Sequence, residues 1–183
     1  MRKFAVFDID GTLIRWQLYH TLVDRLAKKG VLGENTLEDL RQARMRWKKR
    51  VHEDEFRTYE EQLVGSFEQS LPHIPTDDFD QLVTGVIEEY KEQVYTYTRD
   101  LLHDLKTKGY FLIAISGSHE ELVTQIAKYY GFDAYAGSQY ERKGNTFTGK
   151  IMVASHSKKE LLERFIEQYQ LTSTGSIAVG DSM

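Results

Sequence analysis

Phe4-Ala5-Val6-Phe7-Asp8-Ile9-Asp10-Gly11-Thr12-Leu13 opens the chain and decides how the rest is read. Four apolar residues in a row fit a short strand buried on both faces, and the polar string after them marks its end. In an extended segment residues i and i+2 point to the same side, roughly 6 to 7 Å apart, so Asp8, Asp10 and Thr12 converge while Ile9 points away. Gly11 lets the chain turn sharply beside whatever binds there. Two crowded carboxylates repel unless a cation or a shared proton relieves them, and a hard ion such as Mg²⁺ prefers oxygen ligands. A strand end in an ordinary polar turn is the plain alternative, because Asp, Gly and Thr all favour turns.

Outward from this strand, residues 16–95 read as nearly unbroken helix. Trp16, Tyr19, Leu22, Val23 and Leu26 recur at helical spacing until Gly30-Val31-Leu32-Gly33, and Thr36 with Asp39 opens a second helix. Phe56, Tyr59, Leu63 and Phe67 mark a third, which Pro72 and Pro75 separate from a fourth carrying Phe79, Leu82, Val83, Val86, Ile87 and Tyr90. From Thr98 the pattern alternates: a helix over Leu101 to Lys108, a strand over Phe111 to Ser116, and a helix over Glu120 to Tyr130. A strand and hairpin follow over Tyr135 to Lys150 around Gly144-Asn145, then a helix over Ser157 to Tyr169 and a strand through Ile177-Ala178-Val179-Gly180-Asp181. Such alternation implies a parallel sheet covered by helices. The expected fold is α/β: a Rossmann-like parallel sheet core over 1–15 and 96–183, with an α-helical bundle inserted as a cap over 16–95.

Three further groups join the first. Ile115-Ser116-Gly117-Ser118 puts a hydroxyl and a flexible backbone at a strand's carboxyl end, just before a helix, where free N–H groups and the helix dipole favour phosphate. Ser118 with Glu121, and Ser157 with Glu160, read as capping boxes. The second of these places Lys158 at the first helical position, a placement unfavourable by up to about 1 kcal/mol unless an anion lies nearby. Finally, Gly180-Asp181-Ser182 brings another acid to a strand end.

Taken in order, these residues resemble the haloacid dehalogenase superfamily of phosphohydrolases. Asp-x-Asp-Gly-Thr matches its first motif, Ser116 its second, Lys158 its third, and Gly-Asp the start of its fourth. A helical insertion after the first motif and the hairpin over Gly144 to Lys150 resemble the phosphoserine phosphatase-like branch. The resemblance implies a Mg²⁺-dependent phosphatase of a small-molecule phosphate monoester that works through an aspartyl phosphate. Asp8 would be the nucleophile and Asp10 the general acid and base. Thr12, Ser116, Gly117 and Lys158 would hold phosphate, and Asp8, the Asp10 carbonyl and Asp181 would hold the metal. The fourth motif normally continues to a second acid, whereas this sequence stops at Met183, so the C-terminal end of the core is expected to be missing. Phosphoserine phosphatases also carry a glutamate soon after the first motif. Trp16-Gln17-Leu18-Tyr19-His20 offers no carboxylate, so a neutral or partly apolar monoester is expected in place of phosphoserine. Two other readings share these residues: a catalytically weak phospho-ligand binding or regulatory module, and a phosphotransferase.

The 183 residues suffice for one domain with a modest insertion, and a net charge of −4 argues against a surface built mainly for nucleic acid or an anionic membrane. The basic run Arg41 to Arg50 around Trp47 reads as a solvated helix face. Without cysteine there are no disulfides, thiolate nucleophiles or zinc-thiolate sites, and the six histidines form no His-x-x-x-His pair. The first strand begins almost at Met1 and no apolar run approaches a bilayer's thickness, so a soluble cytoplasmic protein is expected, with neither nucleic acid nor membrane as partner.

Overall fold

The computed structural model describes residues 1–33 and 35–181, apart from the side chains of 155 and 156; Ser182 lies outside this set. Chain order gives β1 (Arg2–Phe7), α1 (Leu18–Lys28), α2 (Thr36–Lys48), α3 (Glu55–Ser70), α4 (Thr76–Tyr90), α5 (Thr96–Thr107), β2 (Phe111–His119), α6 (Glu120–Tyr130), β3 (Ala134–Lys143), β4 (Thr146–Met152), α7 (Lys158–Gln168) and β5 (Leu171–Val179). Short 3₁₀ turns at Leu71–His73 and Ala154–Ser157 precede α4 and α7.

The fold is α/β as expected. One sheet runs in the order β4-β3-β2-β1-β5. β1 lies between β2 and β5 and is parallel to both, and β2 is parallel to β3. Because the chain leaves β1 for β2 and β3 on one side and returns to β5 on the other, the strand order switches direction beside β1. Crevices for ligands open at the carboxyl ends of strands at such a switch.

The chain divides into two compact units, one of Met1–Tyr19, Val83–Gln139 and Ile151–Met183, the other of His20–Leu82 and Tyr140–Lys150. Residues 16–19 and 83–95 therefore group with the sheet and 140–150 with the helices, a different division from the expected insertion over 16–95.

In the first unit both faces of the sheet are covered, which is why β1 and β2 read as continuous apolar runs. Phe4, Phe111, Ile113, Ile115 and Ala136 form one core with Leu161 of α7, against which Val6, Leu162, Phe165 and Ile166 also pack. Ala5 and Phe7 alternate to the opposite face, where Phe7 meets Phe132 edge-on at 5.8 Å. In the second unit α3 buries Tyr59, Leu63 and Phe67 at helical spacing, and Trp47 stacks on Tyr59 at 5.7 Å. The tip of the β3-β4 hairpin seals the start of α4, since Asn145 Oδ1 accepts the Thr76 hydroxyl at 2.6 Å and the Asp77 N–H at 3.2 Å. Arg142 makes a two-point ion pair with Asp80 at 2.9 and 2.7 Å, and Phe147 packs on Phe79. These contacts bind the hairpin to the helices.

Several elements run beyond their sequence-based limits. β5 begins at Leu171, not near Ile177, because its pairing with β1 slips between Lys3↔Thr172 and Ala5↔Ile177 and so accommodates the polar Thr172-Ser173-Thr174-Gly175 stretch. α5 begins at Thr96, ahead of Leu101, since only Thr98, Leu102 and Leu105 of it are buried and its polar first turn carries no periodic signal. Among the described residues no helix is long and apolar enough to cross a membrane.

Candidate active site

Every anticipated site residue belongs to the first unit, and most are joined by direct hydrogen bonds. β1 delivers the first acids. The Asp8 N–H donates to the Val179 carbonyl at 2.9 Å, which keeps the strand in register with β5 up to its last residue. Beyond it the backbone turns, with the N–H groups of Leu13 and Ile14 both returning to the Ile9 carbonyl at 2.9 Å. Gly11 adopts φ +74°, a left-handed conformation that side chains disfavour.

Asp8 is clamped. Its Oδ1 accepts the Ile9 N–H at 2.8 Å and its Oδ2 accepts Lys158 Nζ at 2.7 Å. This ion pair supplies the anion that a lysine at the first position of α7 calls for.

Asp10 sits deeper, buried at the start of α1. The Leu18 N–H donates to its Oδ1 at 2.6 Å and the Ser116 hydroxyl to its Oδ2 at 2.7 Å. Loss of water raises its pKa above the ordinary carboxylate value. The Ser116, Leu18 and Ser118 hydrogen bonds oppose that rise, and the Asp8 charge adds to it. Burial prevails, so Asp10 is biased towards the protonated form. The metal-holding role expected for Asp10 concerns its main-chain carbonyl and not this carboxyl, which Leu18 and Ser116 hold.

β2 itself bulges near its carboxyl end. Pairing with β3 runs Ile115↔Ala136 and then resumes only at His119↔Ser138, which leaves Ser116-Gly117-Ser118 free to curl over the strand end. The Ser118 N–H donates to Ser116 Oγ at 3.0 Å and orients that hydroxyl. Here the expected capping box fails. α6 starts at Glu120 with His119 at the cap position and no side-chain cap, because the bulge moves Ser118 back from the helix start, and the Ser118 hydroxyl faces the buried Asp10 carboxyl. Ser157 does occupy the cap position of α7, but its hydroxyl donates back to the Val153 carbonyl at 3.4 Å.

Two further side chains border the turn. A Cβ added to Gly11 would lie 2.6 Å from Asp181 Oδ2 and 3.5 Å from Gln17 Nε2, so Asp181 and Gln17 both lean over the glycine. Thr12 Oγ1 is buried without a hydrogen-bond partner among the described residues. A polar atom left so is costly unless a ligand or water reaches it. Sequence reading missed the roles of Gln17, Ser118 and the Leu18 amide, because each depends on where the chain returns after a turn.

The chemistry of a neutral-leaning acid gives a first prediction. Below pH 3.8 Asp10 is protonated folded or unfolded, while above it the unfolded chain loses that proton first. The folded state therefore binds more protons, and Asp10 lowers stability as pH rises towards its folded pKa. In the presence of chelator, Asp10→Asn is expected to melt higher than the wild type at pH 8, by at least about 2 to 4 °C, the shift made by about 1 kcal/mol in a chain of this size. The gap should shrink as the pH is lowered towards 4. A gap that stays constant between pH 4.5 and 8 would contradict the burial argument.

Known proteins resemble the chain in family and in fold. The family model described as haloacid dehalogenase-like hydrolase matches residues 5–183. Among solved structures, a phosphoserine phosphatase in apo form is similar with a TM-score of 0.65 and 18% identity over 100% of this chain and 78% of that one. A substrate-bound phosphoserine phosphatase complex gives 0.63 and 18% over 97% and 77%. A Bordetella pertussis Tohama I protein of unknown function gives 0.71 and 16% over 96% and 79%. At these identities the likeness is one of fold. No curated protein sequence matches the chain.

Proposed function

The chain belongs to the haloacid dehalogenase-like hydrolases, and from that membership and the site's geometry we propose that it hydrolyses small phosphate monoesters through a phosphorylated Asp8. The observation that carries the reading is the contrast between two neighbouring carboxyls: Asp8 ion-paired to Lys158 at 2.7 Å, and Asp10 buried and biased towards its acid form. Pairs of acids with divergent environments divide nucleophilic and acid roles between them.

In the first step an Asp8 oxygen bonds to phosphorus in line with the leaving alcohol. The bond from phosphorus to that alcohol breaks, and the Asp10 proton passes to its oxygen. In the second, the Asp10 carboxylate takes a proton from water as that water attacks phosphorus, the bond to Asp8 breaks, and phosphate is released. Lys158 spans Asp8 and the phosphoryl group, lowering the repulsion between two anions. The Gly117 N–H and the orphaned Thr12 hydroxyl donate to the phosphoryl oxygens, and the Ser116 hydroxyl joins them by turning its proton away from Asp10 when that carboxyl is in its acid form.

The carboxylates of Asp8 and Asp181 and the Asp10 carbonyl are all hard oxygen donors. Among the described residues no three acidic, His or Cys side chains converge. A donor set of this kind suits Mg²⁺, which binds through one or two carboxylates and keeps several waters. When bound, the ion would neutralise charge on the phosphoryl oxygens.

Incubation with a panel of phosphate monoesters and Mg²⁺ is expected to release inorganic phosphate, and chelator should abolish that release. Esters of neutral alcohols are expected to outrun phosphoserine, since Trp16-Gln17-Leu18-Tyr19-His20 carries no carboxylate to hold an amine. Absence of release across the whole panel would refute the hydrolase reading, and release unaffected by chelator would refute the metal.

A further inference from the structure

The hydrogen bonds around the site nearly close into a ring. Lys158 bonds Asp8, the strand tip leads from Asp8 to Asp10, and Asp10 accepts from Ser116, which precedes Gly117. The ring is completed by Ser138, a residue of β3 that is entirely buried. Its hydroxyl donates to the Gly117 carbonyl at 2.7 Å and accepts the Ala154 N–H at 3.1 Å. Ala154 begins the 3₁₀ turn Ala154–Ser157 that runs directly into α7, whose first residue is Lys158.

We infer that Ser138 is a positioning residue which fixes the Ser116-Gly117 loop and the Lys158 turn at the separation a phosphoryl group requires. This rests on the reading above. Ser138 lies where β2-β3 pairing resumes after the bulge, opposite His119, so its own backbone is held by the sheet while the loop is not. The bulge also reaches Asp10 through Ser116, and the turn before α7 packs against β2, but Ser138 is a single side chain that hydrogen-bonds both segments. The bulged loop has left the ladder, and the turn before α7 connects a strand to a helix. A hydroxyl that donates to one and accepts from the other adds a directional tie to that packing and fixes their distance more closely than apolar contact does. Being fully buried, it offers no atom to substrate and acts only through Gly117 and Lys158. The neighbouring contact from the Gly137 N–H to the Glu120 carboxylate ties the same strand to the start of α6 and steadies the loop's far end.

Ser138→Ala removes one oxygen and leaves the Gly117 carbonyl and Ala154 N–H unpaired, freeing the two segments to drift apart. Misplacement of groups that hold the reacting atoms by about 1 Å costs up to about 100-fold, and loss of an orienting hydrogen bond one layer out about 10- to 100-fold. Three measurements are made on wild type, Ser138→Ala and Ser138→Thr: kcat and KM on the best ester with Mg²⁺, the Kd of inorganic phosphate by calorimetry, and Tm. Ser138→Ala is expected to lose about 10- to 100-fold in kcat/KM with a raised KM and weakened phosphate binding, and Ser138→Thr, which keeps the hydroxyl, to recover most of this. A purely structural role would lower Tm and the active fraction while leaving KM and phosphate Kd unchanged, and that result overturns the inference, as does a loss that Ser138→Thr fails to recover. Should the wild type bind phosphate but hydrolyse nothing, the hydrolase reading fails alone. Ser138 is then judged by phosphate Kd, equal values for wild type and Ser138→Ala overturning it. A wild type that neither hydrolyses nor binds phosphate overturns both.

Discussion

Asp8→Asn is expected to abolish phosphate release, lowering kcat by about 10⁴-fold or more, as losses of a covalent nucleophile do. The variant keeps the shape of the site. Its amide oxygen can still accept the Ile9 N–H that Asp8 takes at 2.8 Å, and the side chain still follows a strand pinned to β5. What it loses is the lone-pair nucleophile and the charge facing Lys158, whose ammonium is then left beside a neutral group. KM should change far less than kcat, because phosphate still meets Ser116, Gly117, Thr12 and Lys158. Phosphate release on a monoester substrate with Mg²⁺, followed at saturating substrate, decides the matter. Turnover equal to wild type would end the assignment of Asp8 as nucleophile. Turnover lowered only tenfold would favour direct attack by water over a phosphoaspartate.

The second large effect concerns folding. A Cβ added to Gly137 would stand 2.7 Å from Glu120 Cα, 2.8 Å from Glu120 N and 2.8 Å from the Ser118 carbonyl oxygen, all backbone atoms. No rotamer change relieves such contacts, so β3 must move away from the bulged end of β2 and the start of α6. Gly137→Ala is expected to cost about 3 kcal/mol or more, a fall in Tm of about 6 °C or more. Phosphate affinity should fall with it, since Ser116 and Gly117 lie on the displaced loop. Gly65→Ala is the control. It lies inside α3 with nothing within 4 Å of the added carbon, and is expected to be neutral or to gain up to about 1 kcal/mol. Calorimetric melts of the two variants test the contrast, and similar Tm values would show that the strand and loop are not packed as described.

Much of the site was legible because its residues announce themselves locally. Asp8, Asp10 and Thr12 fall within five residues of a strand end that the apolar run marks, so their nearness along the chain was legible; β1 ends at Phe7, however, and the turn beyond it, not strand alternation, carries Asp10 and Thr12. Lys158 was legible as an anomaly, a cation at a helix start that an anion had to justify, and the Asp8 carboxylate is that anion. Ser118 shows the limit. Its spacing to Glu121 fits a cap, yet its hydroxyl turns to the buried Asp10 carboxyl, because a bulge in β2 moved the helix start one residue past it.

By itself the sequence determined the α/β class, the order of strands and helices along the chain, and the acids, hydroxyls and lysine from which the candidate site is built. Each of these follows from periodicity and from chemistry carried within a few residues. Only the tertiary structure decided that β1 lies between β2 and β5, that the hairpin belongs with the helices, and that Ser138 spans two segments far apart in sequence. Such contacts depend on where the backbone returns after long excursions and on how completely each group is stripped of water, and a local pattern holds neither quantity.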